Sequence, residues 1–202
     1  MAGAGMTRLS LEHIAATSAF FETHLGTSGL MGIFRDLDPA ETVRACGVAW
    51  DRGAGLVEVP VQSPAAFASL RAAVAAGHER GTFVGAGTVL TVRQVETVAE
   101  IGGTFCVSPG IDAEISLACE RLGLLHLPGV ATATEVGLAW KLGLRWVKAF
   151  PASVLGPAWV TAMLGPFPGL NVVCTGGMRL DTRSDYLAAG ARAVAIGGRW
   201  PT

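Results

Sequence analysis

Lys148 stands near the end of an apolar run, Arg145-Trp146-Val147-Lys148-Ala149-Phe150-Pro151-Ala152, that reads as a buried strand. Removing water from a lysine disfavours its ammonium form. A neutral amine at the mouth of a pocket is a nucleophile for carbonyl carbon, which is the entry to Schiff-base chemistry. Taken alone, the residue reads more readily as a lysine that snorkels past its strand end. What stands beside it decides between the two. A carboxylate (Glu58), the hydroxyls of Thr88 and Thr175, and two glycine pairs (Gly176-Gly177 and Gly197-Gly198) all fall at comparable points of other apolar runs. An amine, a proton carrier and bare backbone N–H groups at one mouth would suffice for covalent chemistry on an anionic carbonyl compound.

The elements that must position these groups recur at roughly twenty-residue spacing: a glycine, a short apolar strand, a turn and an amphipathic helix. Strands are expected at Leu30–Phe34, Gly55–Val59, Gly81–Gly85, Gly103–Val107, Gly123–Leu127, Gly143–Val147, Gly169–Cys174 and Gly190–Ile196. Each opening glycine sits where the preceding helix could stop in a left-handed conformation. Helical periodicity predicts helices over Pro39–Arg52, from Ser63-Pro64 onward, and over Thr91–Ile101, Asp112–Leu122, Thr132–Leu142, Pro157–Leu164 and Arg179–Ala189. Asp38 before Pro39 is a helix start of the preferred kind. Continuous apolar strands alternating with amphipathic helices imply a parallel sheet covered by helices. Eight of them close most naturally into a single (β/α)8 barrel (a TIM barrel) spanning 1–202, with a doubly wound open sheet as the alternative. An extra helix over 9–24 is expected to plug the N-terminal end, after a disordered start at 1–8. No eighth helix follows the last strand, which ends at Gly197-Gly198-Arg199-Trp200-Pro201-Thr202.

Composition narrows the function. Half of the 202 residues are apolar and 15% are charged, enough for a large core and wrong for a disordered chain. A net charge of −1 gives no bulk attraction to nucleic acid or to an anionic membrane surface. No apolar stretch reaches the ~18 residues of a membrane span, and no basic, then apolar, leader opens the chain. Cys46, Cys106, Cys119 and Cys174 form no C-x-x-C pair and have no histidine at ligand spacing, so no metal site is expected and a reducing cytoplasm is their expected setting. His126 reads as a satisfied core or rim residue.

In barrels of this kind function sits at the C-terminal ends of the strands. There the sequence places Arg35, Glu58, Gly85-Ala86-Gly87-Thr88, Ser108-Pro109-Gly110, Lys148, Thr175-Gly176-Gly177 and Gly197-Gly198-Arg199. Glycine pairs at the ends of the last two strands are where such barrels commonly bind phosphate, and Arg199 could add a charge-assisted bond or be solvated.

The chain resembles the class I pyruvate-forming aldolases that cleave 2-keto-3-deoxy-6-phosphogluconate (KDPG), 4-hydroxy-2-oxoglutarate (KHG) or 2-dehydro-3-deoxy-6-phosphogalactonate. Its motifs are Glu58-Val59-Pro60, Val84-Gly85-Ala86-Gly87-Thr88-Val89, Ser108-Pro109-Gly110, Pro128-Gly129-Val130-Ala131-Thr132, Val147-Lys148-Ala149-Phe150-Pro151-Ala152, Thr175-Gly176-Gly177 and Ile196-Gly197-Gly198-Arg199-Trp200. The resemblance covers about Leu30 to Trp200. It implies a Schiff base on Lys148, proton transfer by Glu58, the pyruvyl carboxylate on Thr88, Phe150 packed beside the lysine, and Pro109, Thr175 and the glycine pairs around the substrate. It implies no cofactor and a homotrimer. Two departures stand out. The phosphogluconate branch carries Arg four residues after the Glu, where this chain has Gln62, and Arg35 matches the strand-one Arg of the phosphogalactonate branch. A phosphate-binding Ser before the final Trp is replaced by Arg199. The same chemistry on 4-hydroxy-2-oxoglutarate, a catalytically silent barrel, and a thiamin-phosphate-synthase-like phosphate binder are the other readings. The last of these does not need Lys148.

Overall fold

A computed structural model describes residues 8–198 and Trp200. Arg199 and all but Arg8 of the start expected to be disordered lie outside the described residues. Nine parallel strand segments alternate with helices: β1 (Leu30–Ile33), β2 (Leu56–Pro60), β3 (Val84–Gly87), β4 (Phe105–Val107), β5 (Leu125–Leu127), β6 (Gly129–Val130), β7 (Trp146–Ala149), β8 (Asn171–Cys174) and β9 (Ala193–Gly197). The helices are α1 (Leu11–Phe21), α2 (Pro39–Asp51), α3 (Ala66–Glu79), α4 (Val92–Ile101), α5 (Ala113–Arg121), α6 (Ala133–Leu142), α7 (Ala152–Leu155), α8 (Pro157–Leu164) and α9 (Arg183–Ala188).

The strands pair in the order β5-β4-β3-β2-β1-β9-β8-β7-β6. β5 and β6 are separated only by Pro128, which has no amide hydrogen to give a ladder but whose carbonyl accepts from the Lys148 N–H at 2.8 Å. β5 falls within the fifth expected strand and pairs with β4, while β6 lies beyond the end expected at Leu127 and pairs with β7. The two ends of the sheet therefore meet at Pro128. The fold is a (β/α)8-type barrel, and the doubly wound alternative falls because an open sheet would keep two edges.

Strand parity divides the core in two. Met31, Leu56, Phe105, Val107, Leu127, Trp146, Val173, Ala193 and Ala195 point inward and form one cluster. Alternate residues such as Val57, Val147 and Val172 point outward against the helices. The period of two carries each inward row up to the next inward residue: Leu56 to Glu58, Trp146 to Lys148, Val173 to Thr175. Glycine on β3 makes this stacking possible, since a Cβ at Gly85 would enter the Phe105 ring.

The N-terminal segment closes the bottom. α1 runs on into a π-helical turn, Glu22–Gly26, rather than staying α-helical to His24. Phe21 and Leu25 enter the barrel cluster wholly buried. Phe21 sits edge-on to Phe105 with centroids 5.9 Å apart and at the same distance from Trp146. Arg192 pairs with Glu22 across the rim.

Several boundaries differ from expectation. The third, sixth and eighth strands begin three residues late, at Val84, Trp146 and Ala193 rather than Gly81, Gly143 and Gly190, because the glycine and the residues after it are spent on leaving the helix. The left-handed exits before the second and fourth strands fall at Gly53 and Gly102, not at Gly55 and Gly103. Ser63 does not cap α3: Ala65 holds that position without a side-chain bond, and the Ser63 carbonyl only closes a turn onto the Ala66 N–H. The Arg179–Ala189 helix is a 3-10 turn, Leu180–Thr182, followed by α9, and α7 was not anticipated. Asp38, Thr91, Asp112 and Thr132 cap α2, α4, α5 and α6, with full capping boxes at Thr91 and Thr132. After β9, Trp200 packs on Phe34 with centroids 6.5 Å apart.

The plug makes a stability prediction. Phe21→Ala removes a fully buried ring and is expected to cost about 3–5 kcal/mol. Leu11→Ala, at a side chain 73% exposed, is expected to stay within about 0.5 kcal/mol of the native protein. Denaturant unfolding of both variants checks it, and equal midpoints would show that α1 is not part of the core.

Candidate active site

The residues that alternation sends inward at the top of the barrel meet in one cavity of about 340 Å3. It is lined by Ile33, Arg35, Glu58, Lys148, Phe150, Thr175, Gly176, Gly177, Met178, Ala195, Gly197 and Gly198. Two larger cavities, about 470 and 430 Å3, lie against α2 and the start of α3 and contain neither Lys148 nor Glu58.

Lys148 is 5% exposed and Glu58 2%. Lys148 lies on β7 opposite Gly129 of β6 and Val173 of β8. Its Nζ sits 4.8 Å from the centroid of the Phe150 ring, which walls that side of the amine. Glu58 lies on β2 opposite Ile33 of β1 and Gly85 of β3. A Cβ on Gly87 would come within 2.8 Å of the Glu58 carboxyl, so this glycine leaves the room in which that group lies. Burial raises the carboxyl's pKa above the usual range, opposed by the nearby charges of Lys148 and then Arg35. Its Oε2 has no hydrogen-bond partner among the described residues. Among the described residues no ion pair joins Glu58 to Lys148 within 4.0 Å. A buried carboxylate with a free oxygen, and a nearby amine it does not clamp, leave a gap for a reacting group or a water between them.

The Thr175 Oγ1, in the same cavity, is likewise buried and without a partner among the described residues. Beyond it the backbone is held open. Gly176 and Gly177 have φ of +89° and +73°, and Gly198 has +83°. A Cβ on Gly176 would stand 3.0 Å from the Phe150 ring and one on Gly177 would overlap the Ser153 side chain. Positive φ and close approach together require glycine there, and the result is a side-chain-free rim of the kind that accepts an anion.

Arg35 follows β1 and reaches across the mouth to donate from Nη2 to the Thr88 Oγ1 at 3.2 Å. Thr88 does not line the cavity itself and joins the site through this bond. Pro109 is not among the residues that line the cavity, and its carbonyl lies against Gly129, while Ser108 before it points to the outer layer. There the Ser108 Oγ lies 3.0 Å from Nε2 of His126, whose Nδ1 lies 2.9 Å from the Ser116 Oγ. Ser116 spends its own hydrogen on the Asp112 carbonyl, so Nδ1 carries the ring proton and Nε2 accepts from Ser108. His126 is thus a satisfied, neutral core residue, its pKa pushed down to about 3 chiefly by burial. Arg199 lies outside the described residues. Ile33, Met178 and Ala195 were not picked out in the sequence as lining residues. Ile33 and Ala195 could have been found from parity, two residues beyond the inward Met31 and Ala193.

Among the described residues no group of three His, Cys, Asp or Glu side chains is placed to hold a metal. All four cysteines are buried and unpaired.

The model of the KDPG and KHG aldolase family matches residues 22–202. A probable 2-dehydro-3-deoxy-6-phosphogalactonate aldolase of Rhizobium meliloti (strain 1021) is 38% identical over 169 residues, covering 83% of this chain and 79% of that protein. A solved structure of native KDPGal is 33% identical with a TM-score of 0.76, over 83% of this chain and 82% of its own. The KDPG aldolase of Legionella pneumophila, solved with pyruvate captured as a covalent carbinolamine, is 26% identical with a TM-score of 0.76, over 86% and 84%. With family match, relatives and barrel in agreement, the chain belongs to the family of KDPG and KHG aldolases, carbon–carbon lyases that form pyruvate.

Proposed function

We propose that this protein cleaves a 2-keto-3-deoxy-6-phospho sugar acid of the galactonate or gluconate type to pyruvate and glyceraldehyde 3-phosphate, through a Schiff base on Lys148. The observation that carries the proposal is the burial of Lys148 and Glu58 in one cavity, with one Glu58 oxygen left unpartnered. The Lys148 amine attacks C2 of the substrate, and loss of water from the carbinolamine gives an iminium. Glu58 as carboxylate takes the proton of the C4 hydroxyl, the C3–C4 bond breaks, and its electrons flow into the iminium to leave an enamine while the aldehyde departs. The proton returns from Glu58 to C3, and water hydrolyses the iminium to free pyruvate and the lysine. The iminium is the electron sink, and family chemistry of this class needs no metal.

In this reading Arg35 and Thr88 take the pyruvyl carboxylate, Phe150 keeps water from the amine, and Thr175 with the Gly176-Gly177 and Gly197-Gly198 rim, joined by Arg199, takes the phosphate end. The Rhizobium relative's name favours the galactonate epimer, as does Arg35 standing in for a cation at Gln62. The proposal extends to a cytoplasmic setting, which fits four unpaired cysteines, and to a homotrimer. It also takes residues 1–202 as one domain.

Borohydride reduction in the presence of pyruvate, followed by peptide mapping, is expected to place a pyruvate-sized adduct on Lys148. Lys148→Ala should lose both adduct and turnover, and turnover without Lys148 would end the mechanism. Glu58→Gln is expected to lower kcat about 10²- to 10⁴-fold while adduct formation persists. The raised pKa of Glu58 carries a sign: its carboxylate form is lost as pH falls, so the acid limb of kcat should lie above the ordinary glutamate range and vanish in Glu58→Gln. An unchanged limb would assign it to another group. Turnover should survive a metal chelator. Comparing the two phosphorylated epimers with 4-hydroxy-2-oxoglutarate separates the substrates, and a preference for the unphosphorylated compound would reassign the rim to a carboxylate.

A further inference from the structure

Two non-glycine residues among those described have positive φ, Asp36 at +56° and Thr88 at +57°. Aspartate tolerates that region, but a β-branched threonine does so only when its surroundings hold it there. Both sit at the mouth, and both belong to one ring of side-chain hydrogen bonds. Arg35, after β1, donates to the Thr88 Oγ1 after β3 at 3.2 Å. Gln94, in the first turn of α4, accepts from the Leu90 and Thr91 N–H groups of the Thr88 loop at 2.7 and 3.0 Å. Its Nε2 donates to the Val61 carbonyl after β2 at 3.0 Å. The next residue, Gln62, donates from Nε2 to the Asp36 carboxylate at 2.6 Å, which returns to the residue beside Arg35. Three strand-end loops are thereby joined in a closed circuit around the edge of the Glu58 chamber.

We infer that Gln62 and Gln94 are positioning residues for the substrate carboxylate, acting through Asp36 and the Thr88 loop to hold Arg35 and Thr88 in their binding pose. This rests on the reading that Arg35 and Thr88 receive that carboxylate. A long arginine on a free loop would lose side-chain and loop entropy on binding an anion, whereas a loop tied at both ends has lost it on folding. The circuit also accounts for Gln62 at the position four residues after Glu58. It is not itself the cation for the substrate but the strut for the loop that carries one.

The test uses pyruvate and borohydride, reading the pyruvate concentration that half-saturates trapping on Lys148. Gln62→Glu places a carboxylate against Asp36 and removes the donor, and it should raise that concentration about fivefold, as loss of about one hydrogen bond does, with the maximal trapping rate nearly kept. Asp36→Asn combined with Gln62→Glu reverses donor and acceptor, keeps the net charge of the native pair, and should restore the native value. Asparagine suits the left-handed backbone at position 36. Arg35→Ala is measured alongside and should raise the half-saturating concentration at least as much. If Arg35→Ala raises it and Gln62→Glu does not, the circuit is not a positioning device and the inference falls while the carboxylate reading stands. If Arg35→Ala has no effect, the carboxylate reading falls and takes the inference with it. If the double variant fails to recover, the effect of Gln62→Glu does not run through its bond to Asp36, and the inference is equally overturned.

Discussion

Glu58 and Lys148 are withdrawn from water together, and an ion so withdrawn loses hydration worth several kcal/mol. Packing that could have been spent on stability holds them there instead. Below them the barrel is filled by Trp146, Phe105, Phe21 and Leu25, so the two polar groups form a lid on an apolar column rather than the lining of a pore. The plug at the N-terminal end and the chemistry at the C-terminal end are two consequences of one fact: a barrel of this size must be filled, and what fills it sets the solvent seen by the inward residues of the last turn of each strand.

Glycine is the other half of the arrangement. On β3 it stands at both inward positions, so that the Phe105 ring can occupy one and the Glu58 carboxyl the other. At the ends of β8 and β9 it removes side chains from the rim and permits a backbone that other residues would adopt only under strain. The G-A-G-T and T-G-G segments are therefore spaces as much as motifs: each is read by what its neighbour puts there. Ser108 shows the reverse case, a polar residue at a strand end that serves the outer layer through His126.

The electrostatics follow from the same geometry. Glu58 has two cations within influence and a partner-free oxygen, so burial pushes its proton affinity up while Lys148 and Arg35 pull it back. A group balanced in this way can hold and release a proton within one reaction cycle. Full neutralisation by a bonded ion pair would forfeit that, and the structure keeps the pair apart.

Much of this was legible in the residues alone. The alternation of apolar strands and amphipathic helices implied a closed parallel barrel, Asp38 marked a helix start by its capping chemistry, periodicity began further helices at Thr91, Asp112 and Thr132, and Glu58, Lys148, Thr175 and both glycine pairs were picked out because local chemistry and strand-end position coincide in them. These are short-range properties, written in spacing and residue type. Tertiary structure decided the rest: that the sheet closes at Pro128 between β5 and β6, that strands three, six and eight start three residues late, that Ile33, Met178 and Ala195 wall the cavity, and that Gln62 faces Asp36. Each of these depends on which residues of distant elements come to share a space, and no spacing along one chain encodes the distance between two loops that meet only when the barrel closes.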